Sequence, residues 1–263
     1  MLNNLRALRP LTWVLIVWLV IFIVLPSFVT SGSPTQTHPD EQLLLPSAAY
    51  LLGTDYLGRD IWSRLLFGGQ NTLIQASIST AIAVAIGTIL GLASAMSFPV
   101  LDRALLALIN AALAIPGLLL ALVSLTLLGR GSVALIVAIG ITQIAPVALI
   151  VRMAARQAQL TDYVLASYAM GASVLHRTYT HILRAILPLI RTYALIVFGY
   201  AIMNGAALAF LGFQSPGTPD WGVMLADARN SFRLAPWPAI PPGIALIVTM
   251  ILLNRIAIRL DRR

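Results

Sequence analysis

The chain contains no cysteine and no lysine, and only 10% of its 263 residues are charged. Without cysteine, it has neither a disulfide framework nor a thiolate metal site. The scarcity of charge argues against a soluble protein of this length, whose helices would carry charged faces. Hydrophobic residues make up 59% of the chain, and this composition indicates a membrane protein.

Six long stretches carry no charged residue, and each is long enough to cross a bilayer, which takes about 20 apolar residues. They are residues 10–39, 65–101, 104–129, 131–151, 192–219 and 234–254. We therefore expect an all-α, polytopic membrane protein with six transmembrane helices. The first stretch resembles a secretory signal because Arg6 and Arg9 precede it, but its apolar part is longer and no small-residue cleavage site follows. We expect a retained anchor.

The arginines predict the topology. With the N-terminus in the cytoplasm and six spans, the inner segments carry a net charge of +9 and the outer segments −1. This asymmetry is what the positive-inside rule requires. Both termini are then cytoplasmic, and the high pI needs no nucleic-acid partner. We divide the chain into residues 1–71, an anchor with an outer loop and an amphipathic segment, and residues 72–263, a five-helix core with a cytoplasmic coupling loop at about 152–191.

The end of the first outer segment has a helical pattern. Apolar residues recur at helical spacing while charged residues occupy the other face, which predicts a short amphipathic helix on the membrane surface. The apolar positions are Leu57, Ile61, Trp62, Leu65 and Leu66, and the charged ones are Arg59, Asp60 and Arg64. Thr54 or Asp55 is the candidate N-cap.

Small residues and prolines mark special positions within the spans. Gly87, Gly91 and Ala95 form a stripe that allows close helix contact, either within one subunit or between two. Pro116-Gly117 and Pro146 are expected to kink the third and fourth spans.

The spans lack the ionisable groups that proton-coupled transport or intramembrane proteolysis requires. The energy source is therefore expected outside this chain. The polar side chains in mid-span are Gln75, Asn110, Gln143 and Asn204. They either line a pore or form hydrogen bonds between helices.

The segment between the fourth and fifth spans predicts a short helix followed by a turn. Tyr163, Val164, Tyr168 and Leu175 have helical apolar spacing, and small residues surround Gly171. Such a helix either docks in a cleft of another protein or rests on the inner leaflet.

Leu165-Ala166-Ser167, followed by Gly171, resembles the EAA-x3-G signature of binding-protein-dependent ABC importer permeases. Leu165 replaces the usual Glu, Ser167 replaces the second Ala, and the family's later Leu-Pro pair is displaced to 187–188. The resemblance implies a type I importer architecture and a coupling helix in contact with an ATPase. The implied coupling residues are Tyr163, Ala166, Ser167, Gly171, Ala172 and Ser173.

Residues 52–68 and 210–229 are similar to outer segments of C-type permeases from dipeptide, oligopeptide and nickel importers. This similarity implies half of a translocation pore for peptides or for nickel and metal chelates, in a bacterial or archaeal cytoplasmic membrane. It also implies four partners without any cofactor: a second, non-identical permease, two ATPase subunits and an extracytoplasmic binding protein. The implied outer-face residues are Asp55, Arg59, Asp60, Asp220 and Trp221. The chain contains no GxxxxGK[ST] loop, so the separate ATPase subunits would hydrolyse ATP.

The alternative is a stand-alone channel or membrane scaffold that is not coupled to an ATPase. A channel or scaffold would tolerate a bulky residue at position 171. Coupling predicts that a Gly171→Trp protein inserts normally but no longer transports. A membrane enzyme is the third hypothesis and has the least support, because the spans offer no candidate catalytic groups.

Overall fold

The structure is a computed structural model that describes residues 13–15, 17–24, 26 and 33–261. Arg6, Arg9, Arg262 and Arg263, which contribute to the predicted inner charge, lie outside the described residues. All regular secondary structure in the described part is helical, apart from one isolated bridge between Thr54 and Asp60. The α-helices are α1 (Trp13–Val24), α2 (Ile61–Met96), α3 (Pro99–Leu113), α4 (Gly117–Leu128), α5 (Ser132–Ala158), α6 (Asp162–Ala169), α7 (Val174–Arg177), α8 (Leu183–Phe210), α9 (Trp221–Arg229) and α10 (Ile240–Asp261).

Four helices are long and apolar enough to cross a membrane. They are α2, α5, the continuous helix Val174–Phe210 and residues Trp237–Arg259, which include most of α10. A π-helical turn, Thr178–Ile182, joins α7 to α8. The pair α3 and α4 makes a fifth span if the two helices are counted together, and α1 is shorter than a span. The expected count of six spans is therefore not confirmed.

The break between α3 and α4 occurs at the predicted proline. The two helix axes differ by 92°, and Pro116 is the N-cap of α4. A proline disfavours the helical conformation of the residue before it and has no N–H for the helix ladder. The predicted kink of the third span is confirmed. Pro146, in contrast, lies inside α5, which runs unbroken past it.

The predicted surface helix over 57–66 is wrong. Gly58 has φ +73°, and a Cβ there would lie 1.8 Å from the carbonyl oxygen of His38, so the chain turns at this point. Helix α2 begins only at Ile61, where the Asp60 carboxylate accepts hydrogen bonds from the N–H groups of Trp62 and Ser63. The cap is thus Asp60 and not Thr54 or Asp55. Ile61 is buried in the core, so these residues begin a long packed helix.

The core lies where α2 packs along α5. A Cβ on Gly87 would lie 2.6 Å from Cβ of Val147, and one on Gly91 would lie 2.5 Å from the carbonyl oxygen of Ala148. The small-residue stripe is therefore a contact within the chain, which was one of the two alternatives. Near the start of α2, the ring of Trp221 packs edge-on against Phe22 of α1 at 5.0 Å.

Candidate functional site

Helix α6 is held against the bundle by one face. Val164 is 2% exposed and packs in a cluster with Ala155 of α5 and Ile182 of the π-helical turn. Ser167, one turn later, is also buried. Most of the segment predicted as the 152–191 loop belongs to the ends of α5 and of the Val174–Phe210 helix, and α6 bridges those two ends.

A Schellman turn ends α6. The N–H of Gly171 donates to the carbonyl oxygen of Tyr168 at 2.9 Å, and the N–H of Ala172 donates to that of Ser167 at 3.1 Å. Gly171 has φ +80°, the left-handed conformation that this motif requires and that glycine adopts most easily. Ser173 then caps α7 by accepting from the N–H of His176 at 3.2 Å. The predicted helix and glycine turn are confirmed.

The outward side of α6 and α7 is an exposed apolar surface. We call it the α6–α7 surface, and its large members are Tyr163, Leu165, Tyr168, Met170 and Leu175. Tyr168 is 63% exposed, and the guanidinium of Arg177 lies over its ring at 4.7 Å from the centroid. Clustered exposed apolar side chains of this kind mark a contact with a protein or a membrane.

The six predicted coupling residues do not all face outward. Tyr163, Ala166, Gly171 and Ser173 are exposed, and Ala172 is partly exposed. Ser167 is only 4% exposed and points to the bundle side with Val164.

A partly buried ionic cluster lies at the end of α2, and we call it the Asp102 cluster. Asp102 in the first turn of α3 receives two hydrogen bonds from Arg152 of α5, both at 2.9 Å. Arg156 adds a third at 2.6 Å, and the hydroxyl of Ser94 donates to the same carboxylate at 2.8 Å. The cluster ties α2, α3 and α5 together. The sequence predicts these charges on the inner side but does not reveal their pairing, because the partners are about fifty residues apart.

A second buried cluster joins the two predicted outer segments, and we call it the Asp227 cluster. Arg59 contacts Asp55 at 2.7 Å and Asp227 at 2.6 Å. Arg64 lies 3.4 Å from Asp55 and 2.8 Å from Asp227. All four side chains are at most 20% exposed. Asp55 and Arg59 are among the predicted outer-face residues. Asp227 is not among them, since it lies 163 residues beyond Arg64.

The other predicted outer-face residues are structural caps and core groups. The Asp220 carboxylate caps α9 through the N–H of Gly222 at 2.7 Å and accepts from the hydroxyl of Thr72 at 2.8 Å. Burial raises the pKa of Asp220 to about 6, although these hydrogen bonds act in the opposite direction. Trp221 is fully buried and donates from Nε1 to the carbonyl oxygen of Leu65 at 3.0 Å.

The four pore-lining candidates lie on four different helices, α2, α3, α5 and α8. Gln75 is buried, Asn110 is exposed and Gln143 is half-buried. Asn204 lines a groove of about 520 Å³ between α8 and α10, next to Tyr200 and Met203.

The sequence matches the family described as "Binding-protein-dependent transport system inner membrane component" over residues 83–263. It is 34% identical over 245 residues to a putative peptide transport system permease protein of Brucella suis, covering 92% of this chain and 82% of that protein. It is 33% identical over 260 residues to the dipeptide transport system permease protein DppC of Haemophilus influenzae, covering 96% of this chain and 87% of DppC.

The glutathione transport system permease protein GsiD of Pectobacterium atrosepticum is 34% identical over 210 residues, which cover 80% of this chain and 70% of GsiD. Among solved structures, the MetNI methionine ABC transporter in an inward-facing conformation contains a chain with a TM-score of 0.61 and 21% identity. The match covers 76% of this chain and 94% of that one. At 21% identity, this similarity supports a shared fold only.

Proposed function

Because this chain belongs to the inner membrane components of binding-protein-dependent transport systems, we propose that it is a permease subunit of an ATP-driven peptide importer. In this proposal it forms half of the translocation pore and hydrolyses no ATP itself. A second permease completes the pore, two ATPase subunits supply the energy, and an extracytoplasmic binding protein delivers the peptide.

The observation that carries the coupling role is the α6–α7 surface. Its apolar side chains are exposed, although the helix beneath them is anchored by Val164 in a packed cluster. A rigid helix that presents tyrosines and leucines is suited to a partner's groove, because aromatic anchors dominate protein interfaces. The π-helical turn continues α7 into α8, so a displacement of the surface would reach a membrane span directly. We propose that this surface, including Gly171, docks on an ATPase subunit.

The two ends of α2 are the basis for the proposed orientation of the chain in the membrane. The Asp227 cluster lies at its first turn and the Asp102 cluster at its last. The helix has 36 residues and is therefore roughly 54 Å long, which exceeds the hydrocarbon thickness of a bilayer. If the α6–α7 surface meets cytoplasmic ATPases, the Asp227 cluster faces outward and both termini are cytoplasmic. The excess of arginine on the same side agrees with this orientation.

We propose peptides as the cargo because the relatives described above are peptide permeases by name. The proposal does not extend to nickel or metal chelates. Asn204 is proposed to face the pore from its groove, with Gln75, Asn110 and Gln143 as further candidates on neighbouring helices.

The function can be tested by purifying the tagged protein in mild detergent and identifying its companions by mass spectrometry. We expect a second permease and ATPases with phosphate-binding loops. The purified assembly is then reconstituted into liposomes with its binding protein, and ATP-dependent peptide uptake is measured. Recovery of the chain alone after gentle crosslinking, or uptake that does not require ATP, would instead support the channel or scaffold alternative.

Substitutions at Gly171 make this test specific for coupling. The backbone there is left-handed and its Cβ position is open, so asparagine, which tolerates this conformation, is the matched control. We expect Gly171→Asn to retain uptake and Gly171→Trp to insert normally but lose it. Unchanged uptake in Gly171→Trp would contradict coupling through this turn.

A further inference from the structure

A pocket of about 320 Å³ lies beside the Asp227 cluster. Arg59 and Arg64 form one wall, Arg130 from the α4–α5 connection forms another, and residues of the 211–219 connection, including Gln214, close it. It shares Arg130 and Ser215 with a neighbouring pocket of about 410 Å³, which is lined by Leu128, Val133 and Val137. The pocket beside the Asp227 cluster and the pocket beside Leu128 thus meet at Arg130.

Arg130 gives the pocket beside the Asp227 cluster an unbalanced positive charge. Arg59 and Arg64 are neutralised by Asp55 and Asp227 at 2.6–3.4 Å. Arg130 is exposed, and among the described residues no carboxylate lies within 4.0 Å of its guanidinium. The backbone next to Arg130 is bonded to the 211–219 connection, because the N–H of Gly131 donates to the carbonyl oxygen of Phe213 at 2.9 Å. Arg130 therefore lines the pocket with no ion pair to a carboxylate of the described residues.

Gln214 supplies an unused hydrogen-bond donor in the same place. The side chain is 5% exposed, and its Oε1 accepts from the N–H of Ser215 and from the hydroxyl of Ser132, both at 3.1 Å. Because a backbone N–H only donates, the oxygen must lie on that side of the amide. The nitrogen, Nε2, is left buried with no partner. Buried donors almost always have an acceptor, and this one would reach an acceptor on a ligand once the Gln214 side chain shifts to expose it.

The geometry points to a site for the terminal carboxylate of the transported peptide, and this inference rests on the proposed function. Arg130 is the ion-pair partner, Gln214 Nε2 is the second donor, and the adjoining pocket accommodates the last side chain of the peptide beside Leu128, Val133 and Val137. A carboxylate accepts hydrogen bonds from both groups and balances the charge of the arginine. We assign a small ligand rather than an acidic side chain of the binding protein, because the Gln214 donor is buried in the wall of a concave pocket whose volume suits a small molecule.

The absence of cysteine from the chain permits a direct test. Thr218 lines the pocket and is half-buried, so a Thr218→Cys variant reports occupancy through its rate of modification by a thiol reagent. The variant is incorporated into the complete importer without binding protein, and modification of this chain is followed by mass. We expect millimolar dialanine to slow the reaction and dialanine amide, which has no terminal carboxylate, to have no effect.

Three further substitutions in the Thr218→Cys background test which side chains bind the carboxylate. Arg130→Gln should raise the dialanine concentration for half-protection about tenfold, as expected for the loss of a charge-assisted hydrogen bond. Gln214→Glu keeps the acceptors for Ser215 and Ser132 but replaces the donor by a negative charge, so protection should disappear. Arg229→Gln, at another exposed arginine of the same side, is the matched control and should leave protection unchanged.

The inference is overturned if dialanine and its amide protect equally, if neither protects, or if Arg130→Gln does not change protection. Protection by substrate-free binding protein, with none by dialanine, would assign the pocket to protein docking and would also overturn it. Peptide uptake by the unmodified importer is measured in parallel. Uptake without carboxylate-dependent protection refutes the site alone, whereas absence of peptide uptake refutes the proposed function as well.

Discussion

Each end of α2 carries an ionic cluster, but the surfaces beyond the two clusters differ. At its first turn, charged groups are buried and paired in the Asp227 cluster, and a buried tryptophan, Trp221, packs beside them. Past its last turn, the α6–α7 surface leaves tyrosines and leucines exposed on an anchored helix. The first arrangement stabilises one chain, and in our proposal the second acts once a partner covers it. Substitutions in the Asp227 cluster should therefore alter folding, whereas those at the α6–α7 surface should alter transport.

The largest expected effect is that of breaking the Asp227 cluster. Asp227→Asn removes the charge that Arg59 and Arg64 share at 2.6 and 2.8 Å, and losing one partner of a buried ionic group costs about 3–5 kcal/mol. We expect a markedly lower unfolding midpoint in detergent. Asp40→Asn, at an exposed acid of the same outer segment, is the control. Equal midpoints for the two variants would mean that the cluster does not hold these segments together.

The second prediction concerns the pH dependence of the same end. An aspartate whose pKa is raised in the folded protein stabilises the fold less as pH increases, because the unfolded chain releases its proton first. For Asp220, with a folded pKa of about 6, this loss develops between about pH 4 and pH 6 and reaches roughly 3 kcal/mol.

Asp220→Asn keeps the cap but has no proton to lose. Its unfolding midpoint, relative to the unsubstituted protein, should therefore rise as the pH is raised from 4 to 7 in detergent. Asp40→Asn again provides the reference. A difference between Asp220→Asn and the unsubstituted protein that stays constant across this range would show that Asp220 has an ordinary pKa.

The packing between the two ends is the subject of the third prediction. At Gly91 a Cβ would lie 2.5 Å from the carbonyl oxygen of Ala148, so Gly91→Val forces α2 away from α5 at a cost of about 1–3 kcal/mol. Ala93→Val, at an exposed position on the same helix, should change stability much less. Unfolding of both variants in one detergent gives the comparison. Similar midpoints would mean that the helices separate without cost.

The smallest effect on stability is expected at the α6–α7 surface. Tyr168→Ala removes an exposed ring and its contact with Arg177, which is worth about 0.5–1 kcal/mol. Peptide uptake should nevertheless fall severely, and Tyr168→Phe, which keeps the ring, should retain it. Full uptake by the alanine variant would remove the distinction between the two ends of α2.

Local signals in the sequence predicted several features of the structure. Pro116 predicted the break between α3 and α4, and Gly171 predicted the turn after α6, because each residue restricts its own backbone. The partner of the Gly87 and Gly91 stripe was undetermined, since close packing suits a neighbouring chain as well as α5.

Other features depend on distant residues and could not be read locally. The pair between Arg64 and Asp227 spans 163 residues, and the periodicity around Leu57 did not reveal that Gly58 must turn against His38. The exposed and buried sides of α6 also follow from packing against α5 and the π-helical turn. That packing buries Ser167. The EAA-like signature by itself does not distinguish Ser167 from its exposed neighbours.

The central claim is that α6 docks on an ATPase subunit. Single-cysteine crosslinking tests it most directly, because the chain has no cysteine of its own. Ala166→Cys lies on the exposed side of α6, and Gln157→Cys lies at an exposed position near the end of α5. In the assembled importer, we predict that a short thiol crosslinker joins Ala166→Cys to an ATPase subunit with much higher yield than Gln157→Cys. Equal yields, or no crosslink from Ala166→Cys in a transport-competent assembly, would contradict the account.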